Sequence, residues 1–270
     1  MIVNDKTKIC VSIAGSRGRF GVNFHNPGYA DLGLDFVYVP LELTHCDLSG
    51  FARLLRSNFL GCSVSMPYKS EIIRYLDKLD ESALMIEAVN TILNDNGDLI
   101  GFNTDYYGAK SALEKSLDLK GKKALLLGAG GAAKAVAHAL SASGSNVTIS
   151  NRDEEKAQRL ASRVGAGTIL WELRNDFEGG DILVNATSVG FDDPEEMPVI
   201  SQTLRKYEAV MDVVTGKETT LIREAREAGK LTIAGNVMAV YQAAKQFEIY
   251  TGKKLTQEFI AKKFKETGGA

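Results

Sequence analysis

Lys69 and Asp105 are two residue types able to hold and move one proton between them, and each follows a short apolar run. Met66-Pro67-Tyr68-Lys69 closes one predicted strand, and Asn103-Thr104-Asp105 closes another. In open α/β sheets the C-terminal ends of strands face the ligand crevice, so both side chains are candidates for one pocket. A lysine beside a carboxylate stays charged and oriented. It gives or takes a proton as a carbonyl interconverts with an alcohol. The plainer reading is a surface lysine and an aspartate that caps the next helix, and spacing alone does not choose. Asn90-Thr91 and Asn103 flank a predicted hairpin. They either hydrogen-bond hydroxyl groups of a ligand or make Asx contacts within the turns.

A second chemistry is written in Gly128-Ala129-Gly130-Gly131-Ala132-Ala133. The apolar run Ala124 to Leu127 precedes it, and the alanine-rich stretch Ala132 to Leu140 follows. Strand, tight glycine turn and helix in that order form the GxGxxA version of the dinucleotide fingerprint. Gly128 allows the turn, Gly130 lets a pyrophosphate approach the backbone, and Ala133 lets the helix pack on its strand. The free N–H groups at the helix start then face the phosphates. The alternative is a plain tight turn in an α/β sheet. Asn151-Arg152 lies one strand later, after Val147 to Ser150. Asn185-Ala186-Thr187 closes another strand near where a nicotinamide would lie. Gln242 sits in a helical segment of mixed polarity, and its face is not decidable by pattern.

The elements that position these residues alternate between strand and helix, which argues for α/β layers with a mostly parallel sheet. Strands are predicted over Lys8 to Ala14, Phe36 to Leu41 and Cys62 to Met66, with helices near Phe24 to Leu32 and Leu48 to Ser57. Thr91 to Asn94 and Leu99 to Phe102 flank Asp95-Asn96-Gly97-Asp98, a hairpin signal. A helix starts after Asp105 and runs toward Leu117. Beyond Ala124 the later strands are Thr168 to Trp171, Ile182 to Asn185, Val210 to Val213 and Leu231 to Ala234. Helices are expected at Leu221 to Ala228, stopped by Gly229, and at Val237 to Tyr250 and Gln257 to Thr267. No repeat or flexible linker interrupts the chain, so two halves are expected to pack face to face around a cleft.

At 270 residues the chain suits one large domain or two ordinary ones. A net charge of −2 gives no electrostatic reason for nucleic-acid binding. No apolar stretch is long enough to span a bilayer, and the first residues lack a signal-peptide core, so a cytoplasmic protein is expected. Cys10, Cys46 and Cys62 read as reduced thiols filling core space. His25, His45 and His138 show no ligand spacing, and no metal site is expected.

Together these pieces resemble the shikimate dehydrogenase family, over nearly the whole chain and in the family's order. His25-Asn26 matches the end of its first motif. Ser63-Val64-Ser65-Met66-Pro67-Tyr68-Lys69 is similar to its Asn-Val-Thr-x-Pro-x-Lys block. Glu87-Ala88-Val89-Asn90-Thr91 is similar to Gly-Ala-Val-Asn-Thr, and Gly101-Phe102-Asn103-Thr104-Asp105 matches Gly-x-Asn-Thr-Asp. The glycine turn, Asn151-Arg152, Asn185-Ala186-Thr187 and Gln242-Ala243-Ala244 through Phe247-Glu248 complete the set.

The resemblance implies an N-terminal α/β substrate domain plus a Rossmann-type nucleotide-binding domain, with the C-terminal helices returning to the first. Residues 1–105 and 237–270 would form the substrate domain, and 106–236 the nucleotide domain. The implied reaction is reversible NADP-linked oxidation of one ring hydroxyl of shikimate, or a close hydroxylated cyclohexene or cyclohexane carboxylate, to the 3-dehydro ketone. Lys69 and Asp105 would be the catalytic pair. Arg19, Ser65, Asn90, Asn103, Asp105 and Gln242 would contact the substrate. Gly128, Ala129, Gly130, Gly131, Ala132, Asn151, Arg152, Asp153, Lys156, Asn185, Thr187, Val213, Gly235 and Met238 would contact the cofactor. A small-molecule partner is expected, without nucleic acid or membrane, in a monomer or homodimer. A quinate or amino-shikimate dehydrogenase using NAD or NADP is an alternative, as is a non-catalytic nucleotide-binding sensor or partner protein. Retention of both Lys69 and Asp105 argues against the sensor.

The chain also departs from the family pattern. The family's first motif carries Ser-x-Ser for the substrate carboxylate, and the corresponding positions, counted back from His25, are Arg19 and Gly21. An arginine pairs with a carboxylate bidentately; alternatively Arg17 and Arg19 sit in solvent. Thr215 replaces the tyrosine of Asp-x-x-Tyr, and Ser63 and Ser65 replace an asparagine and a threonine. A divergent branch with a different preferred substrate or poor shikimate turnover is expected. Near the cofactor, Arg152 and Lys156 favour a 2′-phosphate. Asp153 opposes it and either binds the free 2′-hydroxyl of NAD or caps the following helix. Two cations against one anion favour NADP.

Overall fold

The computed structural model describes residues 3–15, 18–43, 47–178 and 180–268. Arg17, His45 and Cys46 lie outside the described residues. The chain divides into two compact units. The divisions fall at Thr104/Asp105 and Tyr241/Gln242, and the end of the last helix, from Phe264, returns to the second unit.

The first unit contains β1 (Lys8–Ala14), α1 (Phe20–Asp31), β2 (Phe36–Glu42), α2 (Leu48–Asn58), β3 (Gly61–Val64), β4 (Lys78–Leu79), α3 (Glu81–Ile86), β5 (Thr91–Asp95) and β6 (Asp98–Phe102). Its sheet runs in the order β2-β1-β3-β5-β6-β4. β1 pairs in parallel with β2 and β3, and β5 runs antiparallel to both β3 and β6. The Asn96-Gly97 hairpin sets Asp95 opposite Asp98, as the turn chemistry requires. Val11, Ile13, Val64, Ile92 and Leu99 fill the core together with Leu48, Phe51 and Leu55 of α2. In α2 the buried positions recur at helical spacing, so one apolar stripe holds the helix on the sheet. The C-terminal ends of β3 and β6 are thereby brought to either side of the start of β5, which carries Thr91.

The second unit contains α4 (Thr104–Glu114), β7 (Lys123–Leu127), α5 (Gly131–Ala142), β8 (Asn146–Ser150), α6 (Glu154–Val164), β9 (Gly167–Ile169), β10 (Ile182–Asn185), β11 (Ala209–Asp212), α7 (Thr220–Glu227), β12 (Leu231–Ile233), the first part of α8 (Gly235–Thr251) and the end of α9 (Gln257–Thr267). All its pairings are parallel, in the order β12-β11-β10-β7-β8-β9. That is the doubly wound dinucleotide-binding order. Successive residues of β7 point to opposite faces: Ala124 and Leu126 join one apolar cluster, Leu125 and Leu127 the other. Both faces are covered, which explains the unbroken apolar run. Truncating one of these fully buried leucines to alanine would cost about 2–5 kcal/mol.

Three sequence expectations are corrected. The strand drawn over Thr168 to Trp171 ends at Ile169. Trp171–Asn175 forms a 3₁₀ turn, closed by the Leu173 N–H donating to Leu170 C=O and by Arg174 stacking 4.2 Å from the Trp171 ring. β3 ends at Val64, because Ser65 already accepts the Tyr68 N–H of the following turn. Residues 237–241, drawn with the substrate domain, pack with the second unit: Val237, Met238 and Tyr241 lie on the α5-side core, and Tyr241 meets Phe264 edge-on at 5.1 Å.

Candidate active site

In the first unit, Asn90 immediately precedes β5 and is buried. Its Oδ1 accepts the Thr104 N–H at 2.8 Å, the Thr104 hydroxyl at 3.1 Å and the Thr91 hydroxyl at 2.8 Å. A backbone N–H only donates, so the oxygen must be the atom facing Thr104, and the amide cannot be flipped. The Nδ2 donors are therefore turned away from this cluster. Thr104 also reaches Gln242 Oε1 at 3.1 Å, which joins the start of α4 to α8. Asn103 is buried; its Nδ2 donates to Ala88 C=O at 2.9 Å and its N–H donates to Ser82 Oγ at 3.0 Å.

Lys69 is half-buried in the turn after β3, with its carbonyl accepting the Val89 N–H at 2.7 Å. This bond holds Lys69 beside the segment that leads through Asn90 into β5. Asp105 is half-buried in the first turn of α4, directly after Thr104. Ser65 is exposed at the start of the same turn as Lys69. Arg19 is exposed at the N-terminus of α1, and its guanidinium makes no hydrogen bond or ion pair among the described residues.

Gly21 has a steric reason to be glycine. A Cβ there would lie 2.7 Å from the Tyr38 hydroxyl and 2.8 Å from its ring. Tyr38 is buried, stacked at 4.6 Å on His25, and its backbone is clamped by the Asn26 carboxamide. The ring occupies the space that a side chain at position 21 would need. Burial pushes the His25 imidazole down to about 4, against the opposing hydrogen bond with Gln246, and so keeps the ring neutral.

In the second unit the glycine turn is built for a phosphate. Gly128 has φ +111°, and a Cβ there would lie 2.5 Å from Ala186 C=O, so only glycine fits. Gly130 and Gly131 are exposed, and nothing lies within 4 Å of a Cβ built on either. The first bond of the α5 ladder is Lys134 N–H to Gly130 C=O, which leaves the preceding first-turn N–H groups for a ligand. Ala129 and Ala133 are buried, and Ala132 is half-buried. An open cradle of backbone donors fits a dinucleotide pyrophosphate.

Asp153 caps α6: its carboxylate accepts the Lys156 N–H at 3.1 Å and pairs with Lys156 Nζ at 3.1 Å. The backbone bond from Lys156, followed by its ammonium, holds the carboxyl below its usual range. Of the two predicted cations, Lys156 is thus paired with the predicted anion. Arg152 is exposed and has no ion-pair partner among the described residues. Asn151 turns its Nδ2 onto Asp153 C=O.

Asn185 is fully buried, and its carboxamide is spent inside the protein. It donates to Val189 C=O and Asp212 Oδ1, both at 3.0 Å, and accepts from the Thr187 N–H and hydroxyl. Its role is to hold the loop carrying Thr187. Asp212 is buried at the end of β11, accepting also from the Thr219 hydroxyl and the Val214 N–H. Burial raises its carboxyl above the usual range, and these donors oppose the rise. Val213 follows it, half-buried, while Gly235 and Met238 are buried in the first turn of α8.

Comparison with known proteins decides the family. Residues 20–92 match the shikimate dehydrogenase substrate-binding domain, and residues 109–191 match the shikimate/quinate 5-dehydrogenase domain. The shikimate dehydrogenase (NADP(+)) of Pyrococcus furiosus is 38% identical over 94% of this chain and 93% of its own. The chain belongs to the shikimate dehydrogenase family. A shikimate dehydrogenase-like protein of Haemophilus influenzae is 39% identical over 96% of both chains. The crystal structure of shikimate 5-dehydrogenase from Thermus thermophilus, in complex with NADP(H) and shikimate, is 30% identical with a TM-score of 0.84, covering 96% of this chain and 99% of its own. As a shikimate dehydrogenase family member, the chain is an oxidoreductase of the two-domain α/β type.

Sequence reasoning missed Gln246 and Tyr38. Gln246 is one helical turn after Gln242, and that spacing places both on one face of α8. Tyr38 carried no signal, because its approach to Gly21 joins residues on different elements.

Proposed function

We propose that this chain reversibly oxidises one ring hydroxyl of shikimate, or of a close hydroxylated cyclohexene or cyclohexane carboxylate, to the ketone with NADP. The carrying observation is the Asn90 amide, whose oxygen is saturated by Thr104 and Thr91 so that its donors are left for a ligand hydroxyl. The cofactor, when bound, supplies the hydride acceptor. Lys69, as the neutral amine, takes the hydroxyl proton during oxidation and, as the ammonium, returns it during reduction, with Asp105 as the second member of the catalytic pair. Asn90 and Gln242 orient the ring hydroxyls. Arg19 takes the ring carboxylate, since position 21 has no side chain to offer it. The N–H groups at the start of α5 hold the pyrophosphate, and Arg152 holds the 2′-phosphate.

Among the described residues no helix is long and apolar enough to cross a membrane. With the family's small-molecule chemistry, the reading is of a cytoplasmic enzyme, a monomer or homodimer. Steady-state reduction of NADP and NAD with shikimate and, separately, quinate tests the proposal. Turnover with NADP and shikimate supports it, and turnover on quinate alone moves the substrate to the alternative. Nucleotide binding with no turnover on either acid overturns it in favour of a sensor.

A further inference from the structure

Gln246 is buried in α8, and all of its amide is engaged. Its Nε2 donates to Asn90 C=O at 3.2 Å and to Thr91 Oγ1 at 2.9 Å. Its Oε1 accepts the Ser63 hydroxyl at 3.1 Å and faces His25 Nε2 at 3.4 Å. A carbonyl only accepts, so the contact with Asn90 C=O fixes which end of the amide is nitrogen and makes His25 the donor at Nε2. Thr91 then passes its own proton to Asn90 Oδ1 at 2.8 Å. Gln246 therefore grips Asn90 twice, directly through its carbonyl and through Thr91 at its side chain.

Ser63 stands where the family pattern has asparagine, and its hydroxyl bonds Gln246 and lies 3.0 Å from Tyr250 Oη. An asparagine at 63 would bring a second amide into the space Gln246 already fills. Serine, one functional group shorter, leaves that space free. The loss at 63 and the presence of the amide at 246 thus meet at one point between β3, β5 and α8.

We propose that Gln246 is a positioning residue for the Asn90 carboxamide, and that it supplies from α8 the buried amide lost from β3 at Ser63. A buried amide with four partners sets orientation, because every alternative placement leaves a donor or acceptor unpaired. The proposal rests on the reading of Asn90 as a substrate contact for its effect on activity, but not for its effect on Asn90 itself.

The test compares Gln246→Leu, Gln246→Ala and the double variant Ser63→Asn/Gln246→Ala in the full chain. In both single variants, kcat/KM for shikimate should fall about tenfold or more, the loss expected of one buried hydrogen bond. The loss should lie in KM, with NADP affinity unchanged. The double variant should regain most of it. Unchanged kinetics in the single variants would overturn the proposal. So would an equal loss of NADP affinity, or a double variant no better than Gln246→Ala. Should Gln246→Leu fail to fold, the double variant decides: folded and active supports the relocation of the amide, unfolded or inactive refutes it. If the native chain does not turn over shikimate, the proposed substrate fails and the side-chain amide NMR signal of Asn90 becomes the readout. That signal should shift in Gln246→Leu and return in the double variant, and an unmoved signal would overturn the inference.

Discussion

Thr104 donates both its backbone N–H and its hydroxyl to Asn90 Oδ1, at 2.8 and 3.1 Å. The residue before Asp105 is thereby locked to the residue before Thr91, so the two polar motifs behave as one device. Replacing Thr104 by Val keeps its shape and backbone donor but removes the hydroxyl from both Asn90 and Gln242. The expected result is a fall in kcat/KM of roughly tenfold, since one to two neutral hydrogen bonds are lost. Steady-state kinetics on shikimate checks this, and a variant with native kinetics would detach Thr104 from substrate placement.

Lys69 is expected to act on chemistry and not on nucleotide binding, since it belongs to the unit that does not carry the glycine turn. Lys69→Ala should lower kcat by about 10²–10⁴, the usual worth of a positioned acid or base. The dissociation constant for NADP, read by tryptophan fluorescence, should stay near native. Equal losses of turnover and nucleotide affinity would sink the proton-transfer role.

Asp153 is committed to the N-cap of α6 and to Lys156, so its expected influence on cofactor choice is the neutralisation of a cation. Threonine at 153 retains capping ability but releases the Lys156 ammonium. The ratio of kcat/KM for NADP over NAD should rise in Asp153→Thr and fall in Arg152→Ala. A ratio unmoved by either change would place both side chains away from the ribose.

His25 predicts a pH effect on stability. Its folded value, about 4, lies below its ordinary 6.5 because burial disfavours the cation. Between those values the unfolded chain binds a proton that the folded chain refuses. The neutral ring's contribution is therefore intact above pH 6.5 and is lost as pH falls toward 4, amounting to roughly 3 kcal/mol. Replacing His25 by Phe retains the stack on Tyr38 and Phe247 and removes the titration. Urea unfolding of the two proteins at pH 7, 5.5 and 4.5 should show the native chain losing stability more steeply. Parallel curves would mean that His25 is not the group responsible.

Much of this protein was legible in its sequence because the relevant physics is local. The GxGxxA turn requires glycine at Gly128, an open backbone at Gly130 and a small residue at Ala133, and those requirements are set by neighbours within one strand-turn-helix. The parallel sheet of the second unit followed from unbroken apolar runs such as Ala124 to Leu127, and the hairpin from Asn96-Gly97. Short elements were harder. α3 has six residues and is held by the Asp80 cap, too little length for a period to emerge. The Trp171 turn looked like strand because a run of three apolar residues, Ile169 to Trp171, does not distinguish the two.

What only the tertiary structure decided is which way the polar groups face. The sequence left Asn90 open between a turn contact and a ligand contact. Three donors from Thr91 and Thr104 settle the orientation of its oxygen. It left Asp153 open between ribose and helix cap, and the Lys156 N–H takes the carboxylate. It offered no reason for Gly21 in α1, which Tyr38 supplies from β2. Gln246 reaches Asn90 across 156 positions of chain. Periodicity and turn chemistry report what a residue does to its own element, whereas a buried hydrogen bond belongs to two elements and exists only once packing has brought them together.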